Sequence, residues 1–312
     1  MIDQPRPEVN GVKRCATPRA GALLSLLLLV FASLLSTALA ADKVLTRGLG
    51  PEPDSLDIHQ AQGLAALQVL RDLNEGLVTF DAAGELAPGI ARGWSVDEEG
   101  LHYRFELRSD ALWSNGDPVR AEDFVRGWRM ALAPASQART ASLLAPVTGA
   151  RAVLAGEADP QSLGIRAIDE QTLEVDLEQP TPWFLELLTH PVAFPLHPSA
   201  AGTEPGGVDR RPVSGAWSLR EQVPRSHIRL RPNPHYYAAS DIALDEVMYV
   251  TIEDPGAELS RFRAGEVDIT ETIPPGRHDW LLENYPEALR ISPYIGSFWL
   301  GLNLSRPPLE GQ

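Results

Sequence analysis

Residues 101–108 alternate without interruption: Leu101, Tyr103, Phe105 and Leu107 are apolar, whereas His102, Arg104, Glu106 and Arg108 are polar. A strand sends successive side chains to opposite faces, so this stretch reads as a strand buried on one side only. Asp97-Glu98-Glu99-Gly100 turns the chain ahead of it, and Ser114-Asn115-Gly116-Asp117 turns it again afterwards. A helix follows. Phe124, Val125, Trp128, Ala131 and Leu132 recur at helical spacing, with Glu122 and Asp123 in the first turn, where the positive end of the helix dipole favours acids. Trp113 and Trp128 are expected in the core of this strand-turn-helix module.

Similar local signals run along the rest of the chain. Residues 43–49 read as a short strand and 65–73 as a helix carrying Leu67, Leu70 and Leu73. In 172–178, Thr172, Glu174, Asp176 and Glu178 face one way and Leu173, Val175 and Leu177 the other, a second half-buried strand. Leu185, Leu187 and Leu188 fall in a short helix after Pro182. Ile228-Arg229-Leu230 and 247–252 read as strands. A β-helix-β unit is expected between Val250 and Ile269, its helix at 257–264 stopped by Gly265.

The first forty residues stand apart. Lys13, Arg14 and Arg19 precede an almost unbroken apolar run over 20–39, and Ala38-Leu39-Ala40 supplies the small residues of a cleavage site, so 1–40 reads as a secretory signal with a mature start at Ala41. An uncleaved anchor is the alternative, because about twenty apolar residues span a bilayer. Cys15, the one cysteine of the sequence, lies before the apolar run, whereas a lipidated cysteine would follow it. The segment is therefore not a lipoprotein signal, and the mature chain has no disulfide or thiolate chemistry.

The signal segment carries four basic and two acidic residues, so its removal moves the net charge from −15 to −17, a balance that disfavours nucleic acid and anionic lipid. With 312 residues, 44% hydrophobic and 22% charged, the chain is long enough for about two domains. Gly48 and Gly50 invite comparison with a dinucleotide loop, but Pro51 and Pro53 remove amides that a phosphate needs and no helix follows directly. The sequence contains no G-x-S-x-G, H-E-x-x-H or P-loop, and the seven histidines are scattered. Nothing selects a catalytic pair from the acidic residues, so the reading is a non-enzyme without cofactor or metal, with a secreted hydrolase as the alternative outside that class.

Four segments in one order carry a resemblance. Asn74-Glu75-Gly76-Leu77-Val78, the strand Gly100-Leu101-His102-Tyr103-Arg104-Phe105-Glu106-Leu107-Arg108, the turn Trp113-Ser114-Asn115-Gly116-Asp117-Pro118-Val119 and the helix start Ala121-Glu122-Asp123-Phe124-Val125 resemble the N-E-G-L, G-L-x-Y-x-F-x-L-R, W-S-[DN]-G-x-P-V and A-x-D-F-V segments of the extracytoplasmic peptide-binding proteins of ABC importers, family 5. Pro53-Asp54-Ser55-Leu56-Asp57, 163–184, Asn233-Pro234-His235-Tyr236-Tyr237 and Phe262-Arg263-Ala264-Gly265-Glu266-Val267-Asp268 are similar to further segments of that family. The likeness covers nearly everything after residue 41. Departures are Ile58 in place of a proline, Ser214 in place of an asparagine, and Thr140 near a position where relatives often carry a ligand-contacting aromatic.

The resemblance implies an α/β fold: a type II periplasmic-binding-protein-like lobe with a mixed β-sheet, a β-rich extra domain, and a second lobe largely missing. It divides the chain into a signal peptide at 1–40, lobe I at 41–74 and 196–295, the extra domain at 75–195, and the start of the crossover to the second lobe at 296–312. It also implies a monomeric periplasmic receptor that captures oligopeptides by backbone hydrogen bonding and delivers them to ABC permease subunits. A dipeptide, murein-peptide or nickel-complex receptor of the same fold is the alternative within the class. Gln62, Gly63 and Leu64, in the loop before the first helix, together with Glu271, Phe298 and Trp299, are the ligand-binding residues that the resemblance implies.

Overall fold

The alternation at 101–108 becomes the spine of an antiparallel sheet. The structure, a computed structural model, describes residues 42–200, 211–292, 300–302, 304, 305 and 307. Strand β5 (His102–Leu107) buries Tyr103, Phe105 and Leu107 and exposes His102, Arg104 and Glu106. It lies between β4 (Ala91–Val96) and β7 (Thr172–Asp176), with β6 (Ile165–Ala167) beyond β7, and all three pairings are antiparallel.

The inner face of this sheet packs on α2 (Ala121–Leu132), which contributes Phe124, Val125, Trp128, Ala131 and Leu132 to one buried cluster. Ala150 and Val153 of α3 (Ala150–Leu154) and Phe184 of α4 (Phe184–Leu187) complete the layer. Phe184 sits 4.9 Å from the Tyr103 ring. On the outer face the polar positions pair across strands, as Arg104 with Glu174 at 2.7 Å and Arg92 with Glu106 at 2.9 Å. Such exposed pairs set register more than stability, at about 0–1 kcal/mol each.

Both tryptophans are fully buried in this cluster. Their ring N–H groups find acceptors, as buried indoles must: Trp128 donates to the Ala193 carbonyl at 2.9 Å and Trp113 to Asp123 Oδ2 at 3.0 Å. Asp123 is more than a dipole-facing acid. It is 3% exposed, caps α2 by accepting the Arg120 N–H at 3.0 Å, and accepts from Arg126 at 2.7 Å.

A second, mixed sheet draws on the two ends of the described chain. Its order is β1 (Val44–Gly50), β10 (Glu246–Thr251), β9 (His227–Pro232), β8 (Trp217–Val223); β1 runs parallel to β10 and the other pairs are antiparallel. The helix α1 (Leu64–Leu73) lays Ala65, Val69 and Leu73 against Leu49, Trp217, Leu230 and Tyr249. Those three helix residues recur every four positions and share one face. A small hairpin of β2 (Val78–Phe80) and β3 (Leu86–Pro88) follows α1 in the chain.

Where the chain passes from α1 towards β2, Glu75 is buried at 9% exposure. Its Oε1 accepts the hydroxyls of Tyr236 at 2.8 Å and Tyr237 at 3.2 Å, and the Arg108 guanidinium stacks 4.3 Å from the Tyr237 ring centre. The carboxyl thus holds the two tyrosines after β9, and the Tyr237 ring in turn meets Arg108 just past β5. Ser214 Oγ accepts the Glu75 N–H at 3.2 Å on the same side.

The β-helix-β unit differs from expectation at both ends. The helix α5 spans Pro255–Arg263, two residues earlier than its apolar pattern suggests, because Asp254 caps the Ala257 N–H at 2.7 Å and proline suits the first helical turn. The strand expected at its far end shrinks to a single parallel bridge, Ile269 with Arg47. Beyond it lies α6 (His278–Asn284). Among the described residues no helix is long and apolar enough to cross a membrane.

Candidate functional site

The C-terminal end of β1, the N-terminal end of α1 and residues 268–272 converge on one edge of the mixed sheet. Gly63 is the N-cap of α1 and has no side chain to cap with. Asp54 supplies the acceptor instead, taking the Gln62 N–H at 3.0 Å and the Gly63 N–H at 3.2 Å. Arg139 lies 3.8 Å from Asp54 and donates to Gln62 Oε1 at 3.4 Å. The Gln62 and Gly63 amides are therefore held by the chain's own carboxylate, and Leu64, expected in the loop, is instead the first residue of α1, 67% exposed.

One helical turn beyond Leu64, Gln68 donates from Nε2 to Glu271 Oε2 at 2.6 Å. This bond ties residue 271 to α1. Arg47 of β1 approaches Glu271 at 3.7 Å and also stands 5.9 Å from the Tyr249 ring centre. Tyr249 donates its hydroxyl to Asp72 at 2.8 Å. The Glu271 N–H donates to Glu258 Oε1 at 2.9 Å.

Charge at this edge is lopsided. Burial pushes the Asp72 carboxyl up, and the Tyr249 hydroxyl and Arg47 pull it back. Burial likewise raises Glu258, opposed by the amides of Glu271 and Thr272. Arg47 thus sits among three carboxylates, Asp72, Glu258 and Glu271. Glu258 is buried and Asp72 is held by Tyr249, so Glu271, 23% exposed, is the acid of the three that best suits donors such as amide N–H or ammonium groups, and the exposed Leu64, Ile269 and Ile273 offer apolar contact beside it. Clefts of about 540 and 410 Å³ lie elsewhere, the first lined in part by Ser114, Asn115 and Arg231, the second by Arg151, Glu178 and Trp183. Among the described residues no cluster of histidine, cysteine or acidic side chains has the make-up of a metal site.

Of the residues singled out in the sequence, Gln62, Gly63 and Leu64 sit at the N-terminal end of α1 and Glu271 bonds to Gln68 further along the same helix, while Phe298 and Trp299 lie outside the described residues. Arg47, Gln68 and Glu258 were not anticipated. Gln68 carried a faint signal, as the one polar residue in the first seven positions of the helix. The Gly48-Gly50 pair has a different use from phosphate binding: a Cβ at Gly48 would lie 1.6 Å from Glu258 Oε1, so this glycine makes room for the carboxylate.

Comparison with known proteins agrees with this architecture. Residues 85–311 match the model described as bacterial extracellular solute-binding proteins, family 5 middle. The chain is 34% identical over 282 residues to the periplasmic murein peptide-binding protein MppA of Escherichia coli K12, covering 88% of this chain and 52% of that protein. It is 37% identical over 281 residues to the probable deoxycholate-binding periplasmic protein YgiS of the same organism, covering 88% and 52%. The structure of Burkholderia pseudomallei OppA superposes with a TM-score of 0.76 at 32% identity, over 80% of this chain and 49% of that one. The chain spans about half the length of these relatives. With more than half of its residues matched by the family model, the chain belongs to the family 5 bacterial extracellular solute-binding proteins.

Proposed function

We propose that this chain is part of a peptide-binding receptor of an ABC importer, which captures oligopeptides in the periplasm and hands them to membrane permease subunits. Gln62, Gly63, Leu64 and Glu271, with Phe298 and Trp299, form the proposed ligand wall. The observation that carries the reading is the Gln68–Glu271 hydrogen bond at 2.6 Å, which joins α1 to the 268–272 segment in one acceptor-rich face with Leu64 exposed beside it. A peptide backbone offers N–H donors at regular spacing, and apolar side chains between them, to such a face. In this reading lobe I comprises 41–74 and 196–295, the extra domain 75–195, and residues 1–40 are removed on export.

Titration calorimetry with di-, tri- and longer peptides, a nickel complex and deoxycholate tests the ligand class. Saturable binding of peptides alone is expected. Saturation only by deoxycholate or the metal complex overturns the peptide assignment, and turnover of a labelled peptide overturns the assignment as a binder.

A further inference from the structure

Glu258 is an expensive residue to bury. It is 1% exposed on the inner side of α5, and burial disfavours its charged form. A structure keeps such a group when it is fully hydrogen-bonded and fixes a geometry. Here the partner is a backbone amide of the site itself, the Glu271 N–H at 2.9 Å, and the neighbouring Thr272 amide also favours the charged form.

The opposite wall of this contact is equally specific. Gly48 leaves the space that the carboxylate fills, since a Cβ there would meet Oε1 at 1.6 Å and Cδ at 2.6 Å. Gly48 also donates its N–H to the Ile269 carbonyl at 2.8 Å, and the Thr46 carbonyl accepts the Asp268 N–H at 2.8 Å. Residues 268–272 are thus gripped by β1 through residues 268 and 269, and by Glu258 through residue 271. Once its backbone is fixed, Glu271 turns its carboxylate to Gln68 at 2.6 Å and Arg47 at 3.7 Å.

We infer that Glu258 is a positioning residue for the ligand wall: it holds the Glu271–Thr272 backbone over Gly48, and so fixes the carboxylate of Glu271 that joins the wall to Gln68. Glu258 does not touch ligand. This rests on the proposed reading of Glu271 as a wall residue.

The test compares Glu258→Gln, which keeps a carbonyl acceptor for the amides, with Glu258→Leu, which has none. Two readouts are needed: amide hydrogen exchange resolved at Glu271 and Thr272, and peptide affinity by calorimetry. Glu258→Leu is expected to speed exchange at both amides and weaken binding by at least about tenfold, while exchange in β10 and α1 stays as in the parent chain. Glu258→Gln is expected to restore most of the protection and affinity. The inference is overturned if the leucine variant exchanges and binds like the parent, if the glutamine variant loses as much as leucine, or if protection falls evenly across the chain. Should the parent chain bind no peptide, the wall reading fails by itself, and exchange at residues 271 and 272 still decides the role of Glu258.

Discussion

The proton on Glu75 should make this fold less stable as pH rises, the reverse of the usual acidic side chain. Burial pushes its carboxyl up to about 7 from the ordinary 4.5, although the hydroxyls of Tyr236 and Tyr237 and the charge of Arg108 pull it back. The folded chain therefore keeps a proton that the unfolded chain releases. Stability from this group is complete below about pH 4.5 and is lost as pH rises through about 7. At about 1.4 kcal/mol per unit the ceiling is about 3 kcal/mol, of which about 2.5 kcal/mol falls between about pH 5 and pH 8. With 9% exposure, solvent screening reduces this little.

A raw stability curve hides the effect. Burial lowers His59 and His190 to about 4, so each contributes stability that is present at neutral pH and lost as pH falls from about 6.5 towards 4. Those slopes oppose that of Glu75 below about pH 6.5, and only a difference between two chains separates them. Glu75→Gln supplies it. Glutamine keeps an oxygen for both tyrosine hydroxyls but cannot titrate, and its amide nitrogen replaces Oε2, which has no hydrogen-bond partner. That replacement adds a constant offset without a pH slope. Urea unfolding of both chains at a series of pH values should show parent stability, relative to the variant, falling by about 2.5 kcal/mol from about pH 5 to pH 8. Parallel curves refute the argument. Divergence in the opposite sense would mean that Glu75 is ionised in the folded chain and paired with Arg108.

Trp128→Ala should cost about 3–5 kcal/mol, because a fully buried ring is lost and the Ala193 carbonyl is left without its donor; urea unfolding measures it. Trp113→Ala should fall in the same range, and peptide affinity should be unchanged in both, since neither ring belongs to the wall; intact melting with lost binding would show the opposite. N-terminal sequencing of the exported protein should read from Ala41, and recovery of Met1 would mean that the segment stays attached.

What the sequence revealed directly was what repeats over short distances. The alternation of β5, the helical spacing of α2 and the alternation of β7 each depend on neighbours within a few positions; β5 and α2 appear as single-faced burial patterns, and β7 departs only at Thr172, which is buried beside Leu173. The same local rules misplaced the start of α5, because Pro255 breaks an apolar pattern that its Asp254 cap in fact initiates. They also promised a strand where Ile269 makes one bridge.

Charge was where local reading failed, and the reason is physical. A lone acid in a sequence is normally solvated, so Glu75, Asp123 and Glu258 carried no sign of being buried. Their partners lie at different ranges: Tyr236 is 161 residues from Glu75, the Glu271 amide is 13 from Glu258, and Asp123 is satisfied by Trp113, Arg120 and Arg126, all within ten positions. Gly48 and Glu258 carry the lesson furthest. Neither is informative alone, since a glycine in a strand reads as a weakness and a glutamate in a helix as surface. Their meaning appears only when the sheet and α5 pack, because the missing Cβ of one is the space filled by the carboxylate of the other. A site built from such pairs is invisible to motifs by construction, and the backbone it fixes, at Glu271 and Thr272, is where substitutions at either member should be felt first.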